Sequence, residues 1–211
     1  MQGEGLYTGT PMAFLRTVGC SVGHSVCTHC DTQFEQMYPN LGGGLYTVEE
    51  LAEWVGSYKH VVLTGGEPLD RDLRELIFGL GTRLCHIETS GTVQPSWLLT
   101  GGGRHYIRRT DGRLYNWPLW VTVSPKPGYL EQMVKDADEV KVILGGLGSG
   151  PGWPTLTDAV RWADEGKRVY VQPRNGVKTI DHMALDETLG VVDDYPQLRL
   201  SAQLHKFLGV R

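Results

Sequence analysis

"MAFLRTVGCSVGHSVCTHC", residues 12–30, joins a hydrophobic run to three cysteines, Cys20, Cys27 and Cys30, in a C-x6-C-x2-C pattern. The run over residues 12–18 is apolar with β-branched members and is predicted as a strand. A strand that opens into a thiol-lined loop can hold an iron–sulfur cluster at one end of a sheet or barrel. Three thiolates leave one iron of a four-iron cluster without a protein ligand, and an open iron is a reactive one. Zinc is the rival. Cys20, Cys27 and Cys30 with His24 or His29 make a Cys3His set for a structural site without catalysis. An electron-transfer cluster would need a fourth cysteine, and Cys85 is the one that remains. Lying between Leu84 and His86 in a predicted strand, it reads as a small core residue.

Outward from this loop, strands and helices alternate. Thr47 caps a helix with Glu50 three residues on as a capping box. "HVVLT" (60–64) is a buried strand that stops at Gly65-Gly66, and a helix is predicted over residues 71–80. "RLCHIET" (83–89), "WVTVS" (120–124), "EVKVIL" (139–144), "RVYVQ" (168–172) and a short "LRLSA" (198–202) continue the strands, with helices at 156–165 and 183–192. This rhythm predicts a parallel sheet with crossover helices. Asp111-Gly112, inside residues 101–120, is a β-hairpin signal. The glycine-rich stretch 145–154 lacks a following Lys-Ser/Thr and is not a phosphate loop. No repeat or linker interrupts the chain, so residues 1–211 read as one domain.

The strands end in polar or glycine clusters: Gly19-Cys20, residues 64–67, residues 88–91, Ser124-Pro125-Lys126 and Gln172-Pro173. In parallel α/β folds the C-terminal strand ends form the active face, so all five clusters should converge on one site. "LTGGEP" (63–68) brings two glycines that let the backbone approach a ligand, and Glu67 or the adjacent carbonyls could hold a cationic α-amino group.

Composition removes several function classes. With 20 Lys+Arg against 24 Asp+Glu spread along 211 residues, the chain is no general binder of nucleic acid or membrane surfaces. No apolar stretch approaches the roughly 20 residues a membrane span needs. The first residues lack a signal-peptide pattern, and four cysteines with three clustered do not form a secreted disulfide framework. The expectation is a cytoplasmic α/β protein.

With the cysteine loop and the GGE strand end together, the sequence resembles the radical S-adenosylmethionine (SAM) superfamily, although its first cysteine gap is three residues wider than the usual C-x3-C-x2-C. That resemblance implies an incomplete, TIM-like α/β barrel with a reduced helix complement. It also implies a [4Fe–4S] cluster on Cys20, Cys27 and Cys30 whose fourth iron chelates SAM. "QGEG" (2–5), "GTPMAFLRTVGC" (9–20), "CDT" (30–32), "TGGEPL", "ETSGT" (88–92), "SPK", "QP" and "SAQLHKFLGV" (201–210) narrow it. In this order, across nearly the whole chain, they look like the 7-carboxy-7-deazaguanine synthase family.

The family implies conversion of 6-carboxy-5,6,7,8-tetrahydropterin to 7-carboxy-7-deazaguanine with loss of ammonia, through hydrogen abstraction by a SAM-derived radical, in queuosine-type biosynthesis. SAM contacts are then expected from His29, Cys30 and Asp31, and from Gly65, Gly66 and Glu67. Thr89 and Ser90, Ser124, Pro125 and Lys126, then Gln172, Pro173, Arg174 and Asn175 complete that set. Thr32 offers an oxygen to Mg2+, unless it is a helix N-cap. Substrate contacts are expected from Met1, Gln2, Gly3 and Glu4, from Arg16, Thr64 and His205, and from the terminal carboxylate of Arg211 if the tail folds over the pocket. Arg16 on the first strand suits a bidentate pair with the substrate carboxylate. A reductant such as flavodoxin or ferredoxin and a homodimer are implied as well. The rivals are a glycyl-radical-activating enzyme, against which residues 2–5 and 201–210 speak, and a zinc-stabilised binding module.

Overall fold

A computed structural model describes residues 1–28, 30, 43–101, 103–144, 150–176 and 179–209. In chain order the elements are β1 (Ala13–Thr17), α1 (Val48–Val55), β2 (His60–Gly65), α2 (Arg74–Gly79) and β3 (Leu84–Thr89). Next come β4 (Leu98–Gly101), β5 (Arg104–Arg108), β6 (Leu114–Asn116), β7 (Leu119–Val123), α3 (Glu131–Asp136) and β8 (Glu139–Leu144). The chain closes with α4 (Leu156–Asp164), β9 (Val169–Pro173), α5 (His182–Asp194), β10 (Arg199–Leu200) and α6 (Leu204–Phe207). Seven strands form one parallel sheet in the order β1-β2-β3-β7-β8-β9-β10. Among the described residues its edges β1 and β10 do not pair, which agrees with an open rather than a closed barrel.

Because side chains alternate along a strand, the sheet has two unlike faces. On one, Val61, Leu63, Cys85, Ile87, Val121, Val123, Val140, Val142, Val169 and Val171 are fully buried. The helices cover that face through Val55, Ile77, Leu80, Met133, Val134, Ala159 and Trp162. The parallel register puts Phe14, Val62, His86 and Trp120 side by side on the opposite face, with Arg16 beside Thr64 and Glu88 beside Thr122 and Glu139. Lys141 and Tyr170, then Ile143 and Gln172, continue that polar face.

The Asp111-Gly112 hairpin forms as β5 and β6, with Arg108 opposite Leu114. A third strand, β4, pairs antiparallel to β5 and makes a small sheet. Trp97, Leu98 and Ile107 carry this sheet into the main core, so it is no separate unit. His105 fastens it further, with Nε2 2.7 Å from Asp138 Oδ2, an oxygen that also accepts from the Val121 amide.

Two local readings change. The helix expected at 71–80 is confined to α2, because Pro68 and the Glu67 carboxylate, which accepts from the Leu69 amide at 3.0 Å, first close a 3-10 turn over Pro68–Asp70. The short helix α3 was not foreseen; six residues between a Pro-Gly turn and an Ala give too few turns for a helical period to emerge. No helix among the described residues is long and apolar enough to cross a membrane.

At the N-terminal end of the polar face, Tyr7 packs edge-on against His86 and Trp120, with ring centroids 4.6 and 5.1 Å apart. His60 Nδ1 lies 3.0 Å from His86 Nε2. Burial, then the neighbouring His60, lower the His86 pKa to about 4. A histidine with a depressed folded pKa takes up protons more readily when unfolded. Stability should therefore fall as pH drops from about 6.5 to about 4, by on the order of 3 kcal/mol at full extent. Urea unfolding across that window should show the loss in the wild type and a smaller one in His86→Asn.

Candidate functional site

The strand ends are tied to one another, and Glu67 is the central knot. Its side chain is buried at 1% exposure and accepts from the Leu69 amide, Thr89 Oγ1 (2.7 Å), the Ser90 amide (2.8 Å) and Ser90 Oγ (2.5 Å). The end of β2 is thereby locked to the end of β3. The end of β1 is joined by Gly66 N to Thr17 O and Glu67 N to Gly19 O, at 3.2 and 3.3 Å. Ser124 N bonds Thr89 O at 2.8 Å and Lys126 N bonds Ser90 O at 3.2 Å, which brings in β7. Ser201 bonds Val171 O through its amide and Gln172 Oε1 through its hydroxyl, which adds the end of β9. The Glu67 carboxylate is thus turned onto protein donors. A Cβ on Gly66 would stand 1.8 Å from Gly19 O and 2.8 Å from Cys20 Cβ, so only glycine lets β2 run this close under the cysteine loop.

The loop after β1 carries Cys20, Cys27 and Cys30, all half-buried, whereas Cys85 is buried in the core. Its turns are closed by Cys27 N to Gly23 O and Cys30 N to Cys27 O, each at 3.0 Å. At its base Arg71 holds Val18 O, and the Ser21 amide donates to Asp70. Burial pushes the Cys27 thiol up; Lys126 opposes that, and Cys30 and Cys20 add to it, so the three sulfurs share one electrostatic neighbourhood. Cys85 is pushed up to about 12 by burial and stays an inert thiol. Among the described residues no group of three or more His, Cys, Asp or Glu is placed to hold a metal ion.

Lys126 links this loop to the interior. Its ammonium donates to Ser124 O and Ser124 Oγ at 2.9 and 2.8 Å. Burial lowers its pKa, Cys27 raises it, and Lys141 and Glu4 are felt from the other side. Groups of both the cysteine loop and the polar face therefore act on this one ammonium.

The polar face is covered by the first ten residues, which form no helix or strand. Gln2 N to Thr10 O and Gly9 N to Gln2 O, at 2.9 and 2.8 Å, close them into a strap. Gln2 Nε2 donates to Glu88 at 2.9 Å, while Gln2 Oε1 accepts from the Gly3 and Glu4 amides. Gly3 O accepts from the Leu204 amide at 2.8 Å, and a Cβ on Gly3 would lie 2.0 Å from His205 Nδ1. Thr64 Oγ1 reaches Glu88 at 3.4 Å. Gln2, Gly3, Glu4, Thr64 and His205 are accordingly brought together. Arg16 stands at the exposed edge in register with Thr64, its guanidinium over the Phe14 ring. Among the described residues no ion pair or hydrogen bond of that guanidinium is found.

Other predicted residues take structural contacts. Asn175 bridges Gln203 Oε1 (3.0 Å) and the Asp181 amide (2.9 Å), and Arg174 approaches Asp181 at 4.0 Å, so both build the loop after β9. Pro125 follows the end of β7 and Pro173 is the last residue of β9, both in trans peptides. Met1 is half-buried at the start of the strap. His29, Asp31, Thr32 and Arg211 lie outside the described residues. Lys141, Glu139 and Gln203 were not anticipated, although charges at alternate positions of "EVKVIL" are the mark of a strand with one polar buried face.

Over its whole length the chain is similar to curated 7-carboxy-7-deazaguanine synthases. It is 32% identical to that of Bacteroides thetaiotaomicron, covering 94% of the relative, and 34% identical to that of Synechocystis sp., covering 89%. The Escherichia coli enzyme is 31% identical, with 95% of it covered. A crystal structure of QueE from Escherichia coli superposes with a TM-score of 0.64 at 27% identity, over 97% of this chain and 90% of that one. No family model matches the sequence.

Gly66→Ala should displace the Gly19–Cys20 backbone, because its Cβ meets a carbonyl rather than a movable side chain. We expect a loss of about 1–3 kcal/mol in urea unfolding and weaker visible absorbance after anaerobic reconstitution with iron and sulfide.

Proposed function

Because the chain belongs to the 7-carboxy-7-deazaguanine synthase family, we propose that it converts 6-carboxy-5,6,7,8-tetrahydropterin to 7-carboxy-7-deazaguanine with loss of ammonia. The family implies a radical SAM lyase of the queuosine pathway that uses a [4Fe–4S] cluster and SAM. The donor set fits that chemistry: three half-buried thiols share one loop and one electrostatic field, with the fourth cysteine buried elsewhere. The observation that carries the reading is the full-length family match together with three half-buried thiols in a loop that is seated on Gly66 at the end of β2.

In this reading Cys20, Cys27 and Cys30 hold the cluster, which with SAM supplies hydrogen abstraction by a carbon radical. Gly65 and Gly66 present backbone groups to SAM, and the Ser90, Ser124 and Gln172 regions line the neighbouring strand ends. Glu67 keeps those ends in register rather than touching the ligand through its side chain. Arg16 pairs with the substrate carboxylate, for which its planar fork is suited. Gln2 and Gly3 read the pterin edge, held against His205 and Thr64. The strap excludes water from the pocket, which protects a reactive intermediate. Mg2+ at Thr32, a terminal carboxylate from Arg211, a flavodoxin or ferredoxin donor, a homodimer, a cytoplasmic setting and a single domain over residues 1–211 complete the proposal.

Anaerobically reconstituted protein should convert the tetrahydropterin to a product of the mass of 7-carboxy-7-deazaguanine; its absence with a loaded cluster and SAM overturns the reading. Alanine at Cys20, Cys27 or Cys30 should abolish the cluster's visible absorption, whereas Cys85→Ala should retain it. Arg16→Lys should bind SAM normally, by equilibrium dialysis, and lose at least about tenfold in kcat/KM, the loss of roughly one charge-assisted hydrogen bond.

A further inference from the structure

Three carboxylates and one ammonium are enclosed where the strap crosses the sheet. Glu88 comes from β3, Glu139 and Lys141 from β8, and Glu4 from the strap. Lys141 is 6% exposed. Its Nζ lies 2.5 Å from Glu4 Oε2 and 3.8 Å from Glu88 Oε1. Burying an ammonium is costly unless carboxylates repay it. Here burial pulls its pKa down, but Glu4, Glu88 and Glu139 together hold it above the ordinary lysine value. Burial likewise opposes the Glu4 carboxylate, but Lys141, Gln203 and His205 bring its pKa down to about 2.

Two further contacts converge on the pair. Gln203 Nε2 donates to Glu4 Oε1 at 2.7 Å, and Gln203 is the one non-glycine residue at positive φ (+53°) among the described residues. A strained backbone persists where its surroundings over-determine it, and here Glu4 and Asn175 grip the side chain from both sides. Glu88, the second carboxylate beside Lys141, receives Gln2 Nε2. Both polar side chains of the strap's first four residues thus end on Lys141 or on its partner.

We propose that Lys141 is the positioning residue of the substrate pocket: its ammonium, through Glu4 and Glu88, fixes the strap where Gln2 and Gly3 can meet a pterin. This rests on the substrate reading given above. The strap has no helix or strand of its own to hold it; apart from the Leu204 amide on Gly3 O, its anchors to the sheet are side chains. Take Lys141 away, and Glu4 loses its ammonium and keeps Gln203 and the field of His205, while Glu88 loses the same counter-charge; the strap's lowest-energy response is to lift off the sheet. Lys141 itself is enclosed by protein groups and acts through them rather than on the reacting atoms.

The test uses the anaerobically reconstituted, SAM-loaded enzyme. Lys141→Met should raise the KM for 6-carboxytetrahydropterin roughly ten- to hundredfold, the range expected when a buried charged acceptor loses its partner. SAM affinity and kcat at saturation should stay within about threefold, the pattern of lost ground-state binding. Glu4→Gln/Lys141→Met removes both charges together and should bring KM part of the way back, clearly below that of the single variant. Hydrogen exchange at the Gly3, Glu4 and Leu6 amides should accelerate in the single variant and slow again in the double. Unchanged KM and exchange in Lys141→Met would overturn the proposal, as would a folded double variant impaired like the single. If the single variant does not fold, recovery or its absence in the double decides. A wild type that protects these amides but does not turn over the pterin counts against the substrate reading and leaves the exchange comparison to judge the strap.

Discussion

One buried carboxylate, Glu67, organises the active face. At 1% exposure it cannot rely on water, so each acceptor site must be filled by the protein. Leu69, Thr89 and Ser90 fill them, and in doing so draw the ends of β2 and β3 to a common level. The neighbours follow through backbone bonds: Gly19 to Glu67 on one side, Lys126 to Ser90 on the other. The cysteine loop is seated by the same constraint, since its first residue stands on Gly66, where a side chain has no room.

The polar face imposes a second demand. A parallel sheet in an α/β protein is ordinarily covered on both faces, and here the helices and the small antiparallel sheet take only one. The other bears Thr64, Glu88, Thr122, Glu139, Lys141 and Gln172, which no apolar helix could cover without stranding them. The chain's first ten residues and the segment from Ser201 to His205 supply the matching polar groups. The result is a floor of charge under a roof without regular structure.

The two ends of the sheet divide the chemistry. At the N-terminal end, rings fill the interior: Tyr7, His60, His86 and Trp120 touch one another. At the C-terminal end, glycines, hydroxyls and thiols gather around Lys126. Lys126 and Lys141, one beside the thiols and one among carboxylates, are close enough to influence each other. Their pKa values move in opposite directions because burial dominates for Lys126 while Glu4, Glu88 and Glu139 outweigh it for Lys141.

The sequence by itself determined the strands of the main sheet and their parallel pairing, though not β4, because apolar periodicity and strand-ending glycines are local signals. It determined that Cys85 is a core residue, since alternation along "RLCHIET" puts it with Ile87 and away from His86 and Glu88. It also carried the family, through motifs spread across the whole chain. Only the tertiary structure decided that Glu67 turns inward to bind Thr89 and Ser90, residues more than twenty positions away. The same holds for the partnership of Glu4 with Lys141, 137 positions apart, and of Glu4 with Gln203, 199 apart. Nothing local to Glu4 sets it apart from any other acidic residue near a chain start. Its role depends on which buried ammonium the folded sheet places beside it, and that is a property of packing and charge in space rather than of spacing along the chain.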